Sequence, residues 1–311
     1  MANITLKQLR YAVAVAEHGH FGHAAAASAI SQPALSMQIQ ALEDGLGLAL
    51  FERAARHVRP TPFGVGFLAR AQRILAEVDD LGDSARAARG DDLGRLRLGV
   101  IPTIAPYLLP RVVGLMGQYY PQANLALRET ITPRLISELS EGRLDAAIVA
   151  LPISEPSFEE VEVFQEDFIL VRPPEDAGKP VPDANSLREM KLLLLEEGHC
   201  FRDQALSFCA LGANTPREVM DGSSLSTLAQ MVGAGIGVTL IPEMAVPVET
   251  RSASVALVRF RTPAPARKIG VIWRRTSPLS NQLRKLANVV REAAETGAPE
   301  AMTGGLMPKI A

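Results

Sequence analysis

The 311-residue sequence predicts an α/β protein with an all-α winged helix-turn-helix at its N-terminal end, joined to the rest by a long linker helix. Three observations carry that reading. Apolar residues recur at helical spacing with tight breaks through the first fifty positions. A near-heptad seam follows, and from about residue 95 strand-like and helix-like segments alternate. The length exceeds what one compact core usually holds, so more than one folding unit is expected.

From Ile4 to Gly19, Leu6, Leu9, Val13 and Ala16 recur at helical spacing, and His18-Gly19 ends the pattern. FGHAAAAS follows, its alanines permitting close helix packing. Ser31 then stands as N-cap to QPALSMQIQALEDGLG, where Leu35, Ile39, Leu42 and Leu46 form one stripe and Pro33 sits in the permitted first turn. Three short helices with a tight break between the second and third make a helix-turn-helix pattern. LFERAARHVRP adds two short apolar stretches around a basic loop, which reads as a hairpin or wing. Thr61 caps a long helix in which Phe63, Phe67, Ala71, Ile74, Val78, Leu81 and Ala85 fall four or three apart. That seam predicts pairing with a second copy of the chain.

GDDLG, at 90 to 94, breaks the helix and forms a linker. Beyond it come LRLGVIP (strand), APYLLPRVVGLMGQYYP (helix), ANLALRE (strand), TPRLISELSEG (helix) and DAAIVAL (strand). The pattern resumes with KLLLLEEG, SSLSTLAQMVGAGIG, VTLIP, KIGVIW and a final helix, SPLSNQLRKLANVVREAAE. This alternation predicts βαβ units and a mainly parallel sheet. VEVFQEDFILVRPP is placed to cross between two α/β lobes, and residues from about 297 read as a tail.

The composition, 47% hydrophobic and 21% charged, is that of a soluble globular chain. The opening MANITLKQLR lacks the apolar stretch of a signal peptide, and no uncharged apolar run reaches the roughly 18 residues of a membrane span. A cytoplasmic location without membrane attachment is the expectation, and thiols there normally stay reduced. A net charge of −2 neither suggests nor excludes nucleic acid.

A helix-turn-helix reads DNA by laying its second helix in the major groove. Opposite the Leu35 stripe this chain offers Gln32, Pro33, Ala34, Ser36, Met37 and Gln40, beside the capping Ser31. Gln pairs with adenine, Ser bonds either way, and Ala or Met touches a thymine methyl. Residues 1 to 59 carry only five cations against four acids, so a plain helical subdomain competes with the DNA reading. Three of those cations, Arg53, Arg56 and Arg59, concentrate in the wing, and the seam would double the site. His18, His20 and His23 lie close together, yet no Cys or paired carboxylate completes a metal-binding set. No metal and no cofactor is expected.

Cys200 and Cys209 are the only cysteines, nine residues apart in GHCFRDQALSFC. A free Cys is commonly a small buried hydrophobe, but a reactive thiol needs cationic or hydrogen-bonding company, and His199 and Arg202 are at hand. Zinc fits poorly, because His199, Cys200 and Cys209 supply only three ligands. On one helix, nine residues mean about 900° of rotation and about 13.5 Å of rise, with the thiols on opposite faces. A disulfide needs Cα atoms about 4.4–6.8 Å apart, so bonding these two would unwind the segment. Full ionisation of a thiol at pH 7 gains roughly thirtyfold at most. Reaction with a peroxide also needs donors that polarise the O–O bond.

SQPALSMQIQALEDGLGLALFER, the capped helix beginning TPFG, and the α/β region resemble the LysR-type transcriptional regulators along almost the whole chain. LRLGVIPTIAPYLLP, LEEGHCFRDQALSFC, VGAGIGVTLIPEMAVP and WRRTSPL resemble the peroxide-sensing branch of that family. The resemblance implies a regulatory domain of two lobes, like a periplasmic binding protein, in a homotetramer built from two dimers. It places the helix-turn-helix at 1–60, the linker helix at 61–90 and the regulatory domain at 91–297. Lobe I would take about 94–165 and 268–297, lobe II about 166–267, with a flexible tail at 298–311. It implies that Cys200 is the peroxidatic thiol and Cys209 the resolving one. Thr103, Thr132 and His199 would handle hydrogen peroxide, with Arg202, Asp203 and Arg274 as supporting polar positions. The implied partners are promoter DNA, RNA polymerase and a cellular thiol reductant, and the implied role is regulatory rather than enzymatic. Met37 and Gln40 stand where relatives often carry polar or basic recognition residues. A metabolite-sensing regulator and a thiol peroxidase are the competing readings.

Overall fold

The computed structural model describes residues 4–53, 58–88, 94–208, 221–261 and 263–296. The chain divides into two units, Met1–Arg89 together with Ser140–Arg143, and the remainder.

In the first unit, α1 (Leu6–His18) starts at a capping box in which Thr5 and Gln8 satisfy each other's backbone N–H groups. After α2 (Phe21–Ala27), Ser31 caps α3 (Gln32–Leu46) by accepting from the Ala34 N–H, and Gly47, at φ +66°, ends the helix in the left-handed region. Leu35, Ile39 and Leu42 pack with Tyr11, Ala12, Val15 and Ala24 in one small core. The wing is an antiparallel pair, β1 (Phe51–Arg53) and β2 (Val58–Pro60). Its base is fixed to α3 by Glu43, a buried carboxylate that accepts the Leu50 and Phe51 N–H groups at 2.7 and 3.1 Å. Thr61 then caps α4 (Pro62–Ala88) through the Gly64 N–H. Along α4, Leu68 and Ala71 are buried, while Phe63, Ile74 and Leu81 of the seam are exposed.

The second unit runs β3 (Arg95–Val100), α5 (Ala105–Tyr119), β4 (Asn124–Glu129), α6 (Thr132–Ser140), β5 (Ala146–Leu151) and the long β6 (Phe158–Arg172). Next come α7 (Ala184–Glu189), β7 (Leu194–Leu195), α8 (Cys200–Phe208), β8 (Asp221–Gly222), α9 (Leu225–Gly233) and β9 (Thr239–Pro242). The last elements are α10 (Val246–Glu249), β10 (Ala256–Arg259), β11 (Ala266–Arg274) and α11 (Ser280–Glu295). One sheet has the order β10-β6-β11-β5-β3-β4, and β9 also pairs with β6.

The sheet is mixed where the sequence suggests a mainly parallel one. β3 is parallel to β4 and β5, but β6 pairs antiparallel with β9, β10 and β11. The cause is β6 itself: at fifteen residues it is long enough to serve both lobes. Its return partner β11 runs the opposite way beside it. Each lobe has its own core. One gathers Leu98, Ile148, Ile272, Trp273 and Leu286, and the other gathers Phe168, Leu193, Phe201, Leu228 and Ile241. Tyr107 on α5 joins the second core, donating to Glu249 Oε1 at 2.5 Å, while Ser226 donates to the other oxygen of the same buried carboxylate. Burial pushes the Tyr107 hydroxyl far above its ordinary value.

Candidate functional site

β3 is the first strand of its lobe, and the chain goes from it to β4 on one side and β5 on the other. Open α/β sheets bind ligands beyond the carboxyl ends of strands at such a reversal. Thr103 lies three residues past β3, and Thr132 opens α6 three residues past β4. Both are buried, at 2% and 8% exposure.

The turn that follows β7 brings the thiol to them. Cys200 is the first residue of α8, half-buried, with a free thiol. It packs against the core that contains Ile101 and Leu135. Gly198, at φ +92°, makes the approach possible: a Cβ there would lie 2.8 Å from the Ile131 Cδ1. A shallow, narrow pocket partly open to solvent is lined by Ile101, Pro102, Thr103, Ile131, Thr132, His199, Cys200 and Phe201. Four of the residues expected from sequence therefore line one pocket.

Their hydrogen-bonding states differ in a useful way. Thr132 Oγ1 is buried and has no hydrogen-bond partner among the described residues. A buried hydroxyl without a partner costs free energy, roughly 1–3 kcal/mol, unless something small and polar binds it. Thr103 Oγ1 instead accepts from Arg267 Nη1 at 2.8 Å, and its carbonyl accepts from Nη2 at 3.0 Å. The Thr103 proton then remains free to point elsewhere. Burial holds the His199 imidazole below its ordinary value, and the Glu196 carboxylate opposes that shift.

The supporting positions fare unevenly. Arg202 donates to the Leu195 carbonyl at 2.7 Å, fastening the first turn of α8 to the end of β7. Asp203 is exposed on α8, and neither residue lines the pocket. Arg274 does not line the pocket either. Its guanidinium donates to the carbonyls of Leu139 and Leu144, and Leu139 sits seven residues along α6 from Thr132, about 10 Å by helical rise. An arginine that does bond a pocket residue is Arg267, seven residues earlier on β11, roughly 23 Å away along an extended strand. It is fully buried, held by Glu166 at 2.7–2.8 Å, with its guanidinium carbon 5.5 Å from the Phe201 ring centre. The sequence carried a signal for it: Arg267 shares strand parity with the buried Ile269, Val271 and Trp273.

Cys209 lies outside the described residues. α8 is helical from Cys200 to Phe208. On α3, Gln32, Pro33, Met37 and Gln40 are exposed and Ala34 and Ser36 half-buried, opposite the buried stripe. The Gln40 amide donates to Asp44 one turn on. Arg59 is exposed on β2. Arg53 ends β1, though its side chain is outside the described set, and Arg56 lies wholly outside it. The His20 and His23 rings lie tilted to each other with centroids 4.8 Å apart, and His20 Nδ1 already accepts the Gly22 N–H.

Comparison with known proteins gives matches over both units. A model described as bacterial regulatory helix-turn-helix protein, lysR family, matches residues 6–65, and one described as LysR substrate binding domain matches 89–295. A probable hydrogen peroxide-inducible genes activator from Streptomyces viridosporus is 45% identical, covering 93% of this chain and 94% of its own. The DNA-binding transcriptional dual regulator OxyR of Escherichia coli K12 is 39% identical, covering 93% and 95%. Among solved structures, a full-length OxyR variant from Pseudomonas aeruginosa superposes with a TM-score of 0.75 at 36% identity, covering 93% of this chain and 98% of that one. A hydrogen peroxide-bound OxyR variant from Corynebacterium glutamicum gives 0.65 at 36% identity, covering 94% and 93%.

Proposed function

The chain belongs to the LysR family of bacterial transcription regulators, and from that premise we propose that it is a hydrogen peroxide sensor switched by Cys200 and Cys209. It binds promoter DNA through α3 and the wing and controls genes that remove oxidants. The observation that carries the reading is the convergence of Thr103, Thr132, His199 and Cys200 on one small pocket, with the Thr132 hydroxyl unpartnered.

The chemistry follows from that arrangement. Cys200 Sγ attacks one peroxide oxygen, an S–O bond forms and the O–O bond breaks. Sulfur loses two electrons to the peroxide, and the departing oxygen leaves as hydroxide, which takes a proton to become water. Thr103 and Thr132 donate to the oxygen on which charge develops, and the neutral His199 imidazole exchanges the proton. The Cys209 thiol then attacks the sulfenic acid, a disulfide forms and a second water departs. Because a helical 200–208 segment holds the two positions too far apart for a bond, α8 unwinds as the disulfide closes. That unwinding is the signal.

The exposed Phe63, Ile74 and Leu81 of α4 supply a surface for a second copy, and two such dimers make the working tetramer. In the oxidised state the assembly recruits RNA polymerase, and a cytoplasmic thiol reductant resets it. The protein consumes one peroxide per switching event and is not a turnover enzyme. Intact mass spectrometry with thiol labelling after one equivalent of hydrogen peroxide tests the reading. Loss of two hydrogens within the 200–209 peptide is expected, and labelling of both thiols after that treatment would refute it.

A further inference from the structure

Beyond the pocket lies a buried carboxylate that the sensing chemistry above does not use. Glu166 sits in the body of β6, directly opposite Arg267 in the antiparallel register with β11. Its two oxygens are divided. Oε1 takes the Arg267 Nε–H at 2.8 Å and pairs with Nη2 at 2.7 Å, while Oε2 accepts the Met244 N–H at 3.0 Å. The side chains of the pair are 0% and 7% exposed. Met244 belongs to the short turn Glu243–Ala245 and packs against both lobe cores.

We infer that Glu166 is a positioning residue for the peroxide reaction, acting on Cys200 through Arg267 and Thr103. The inference rests on the proposed peroxide reading and adds to it the group that orients the donor. A guanidinium is planar, so fixing its Nε edge fixes the direction of the opposite edge. Glu166 holds the first edge, and the second then donates to both oxygens of Thr103. With one lone pair of Oγ1 occupied by Arg267, the Thr103 proton turns towards the pocket, where it meets the oxygen leaving the peroxide. Anchoring of the carboxylate by Met244 N–H keeps Glu166 from following the guanidinium if that group rotates. The strand pair β6–β11 and the turn at Met244 therefore set the aim of the Thr103 hydroxyl, which Arg267 touches and Glu166 reaches only through that arginine.

The test compares two reagents on the same thiol in the full-length chain. Rate constants for Cys200 with hydrogen peroxide and with iodoacetamide are measured side by side, because alkylation reports thiol access and ionisation but needs no O–O polarisation. In Glu166→Gln the ratio of peroxide to iodoacetamide rates should fall about tenfold, the order expected for a misaimed donor. In an Arg267→Lys background the same change should add nothing further, since both act through one group. Glu166→Asp keeps the charge but shortens the reach, and an intermediate fall of about threefold is expected there, which also covers a Gln variant that fails to fold. An unchanged ratio in either variant, or a further full loss in the Arg267→Lys background, would overturn the inference. A wild-type Cys200 that reacts with peroxide no faster than a small free thiol would remove the proposed function itself, and this inference with it.

Discussion

The two sides of the pocket are built on opposite principles. The receiving side, Thr103, Thr132 and Arg267, stands just past the ends of β3 and β4 and on the paired strand β11. All three are more than nine-tenths buried, and Arg267 is bonded on two edges. The delivering side is the turn Glu196–His199, with Glu196 and Glu197 exposed and His199 half-buried, aimed by one left-handed glycine and leading into the half-buried Cys200 at the start of the nine-residue α8. A sensor needs this inequality. Donors must stay fixed while peroxide reacts, and the thiol's own segment must be loose enough to remodel afterwards.

The largest effect that would sharpen the contrast comes from comparing two arginines of one strand. Arg267→Ala leaves the Glu166 carboxylate buried without its partner, a change worth about 3–5 kcal/mol of stability. It should also slow the peroxide reaction. Arg274→Ala loses bonds to two carbonyls, about 1–3 kcal/mol, and should leave the peroxide rate alone. Thermal unfolding and stopped-flow oxidation of both variants check this. Equal slowing by both would break the assignment of Arg267 to the receiving side.

Next in size is Thr132→Val. The hydroxyl has no partner among the described residues, so its removal should leave stability unchanged or raise it by about 1–3 kcal/mol. If it serves the reaction, the peroxide rate should fall tenfold or more, roughly 1.4 kcal/mol or above in the barrier. The two measurements must therefore separate. A variant that loses stability without losing rate would make Thr132 a packing residue.

Much of this arrangement was legible in the sequence, and what was missed has a physical cause. Capping residues are local signals, so Ser31 and Thr61 fell where the helices start. Thr103 and Thr132 come from the family resemblance and His199 also from its place beside Cys200, and the two threonines fall just past strand ends, where such folds gather a site. Arg267 was passed over because ARKIGVIWRR offers four cations, and only the parity of the strand tells which faces inward. The mixed sheet was hidden for a similar reason: direction is set by how β6 and β11 cross between lobes, which no local spacing encodes.

On the delivering side, Gly198→Ala is the more moderate perturbation. The left-handed φ costs an alanine about 1–2 kcal/mol, and its methyl would press on Ile131. The turn should shift as a unit, lowering peroxide and iodoacetamide rates together because the thiol itself has moved. That pattern is the opposite of Thr132→Val, where only peroxide chemistry should suffer. If Gly198→Ala lowered the peroxide rate alone, the turn would be aiming a donor rather than delivering sulfur.

The smallest effect concerns His199 and pH. Burial depresses its folded value, whereas in the unfolded chain the imidazole titrates near an ordinary value of about 6.5. Between the depressed value and about 6.5 the unfolded chain binds more protons than the folded one, so stability rises with pH across that window. The contribution is complete above about pH 6.5 and is lost as pH falls through the folded value. The ring is half-exposed, so only a shallow slope is expected. Unfolding midpoints of wild type and His199→Gln, followed from pH 7.5 to 5, should converge as the pH drops, with the wild type losing more. Parallel curves would show that the imidazole is no more buried than a surface histidine. The turn carrying Cys200 would then lie further from the threonine wall than the shared pocket requires, and the inequality between the two sides would be one of distance rather than of rigidity.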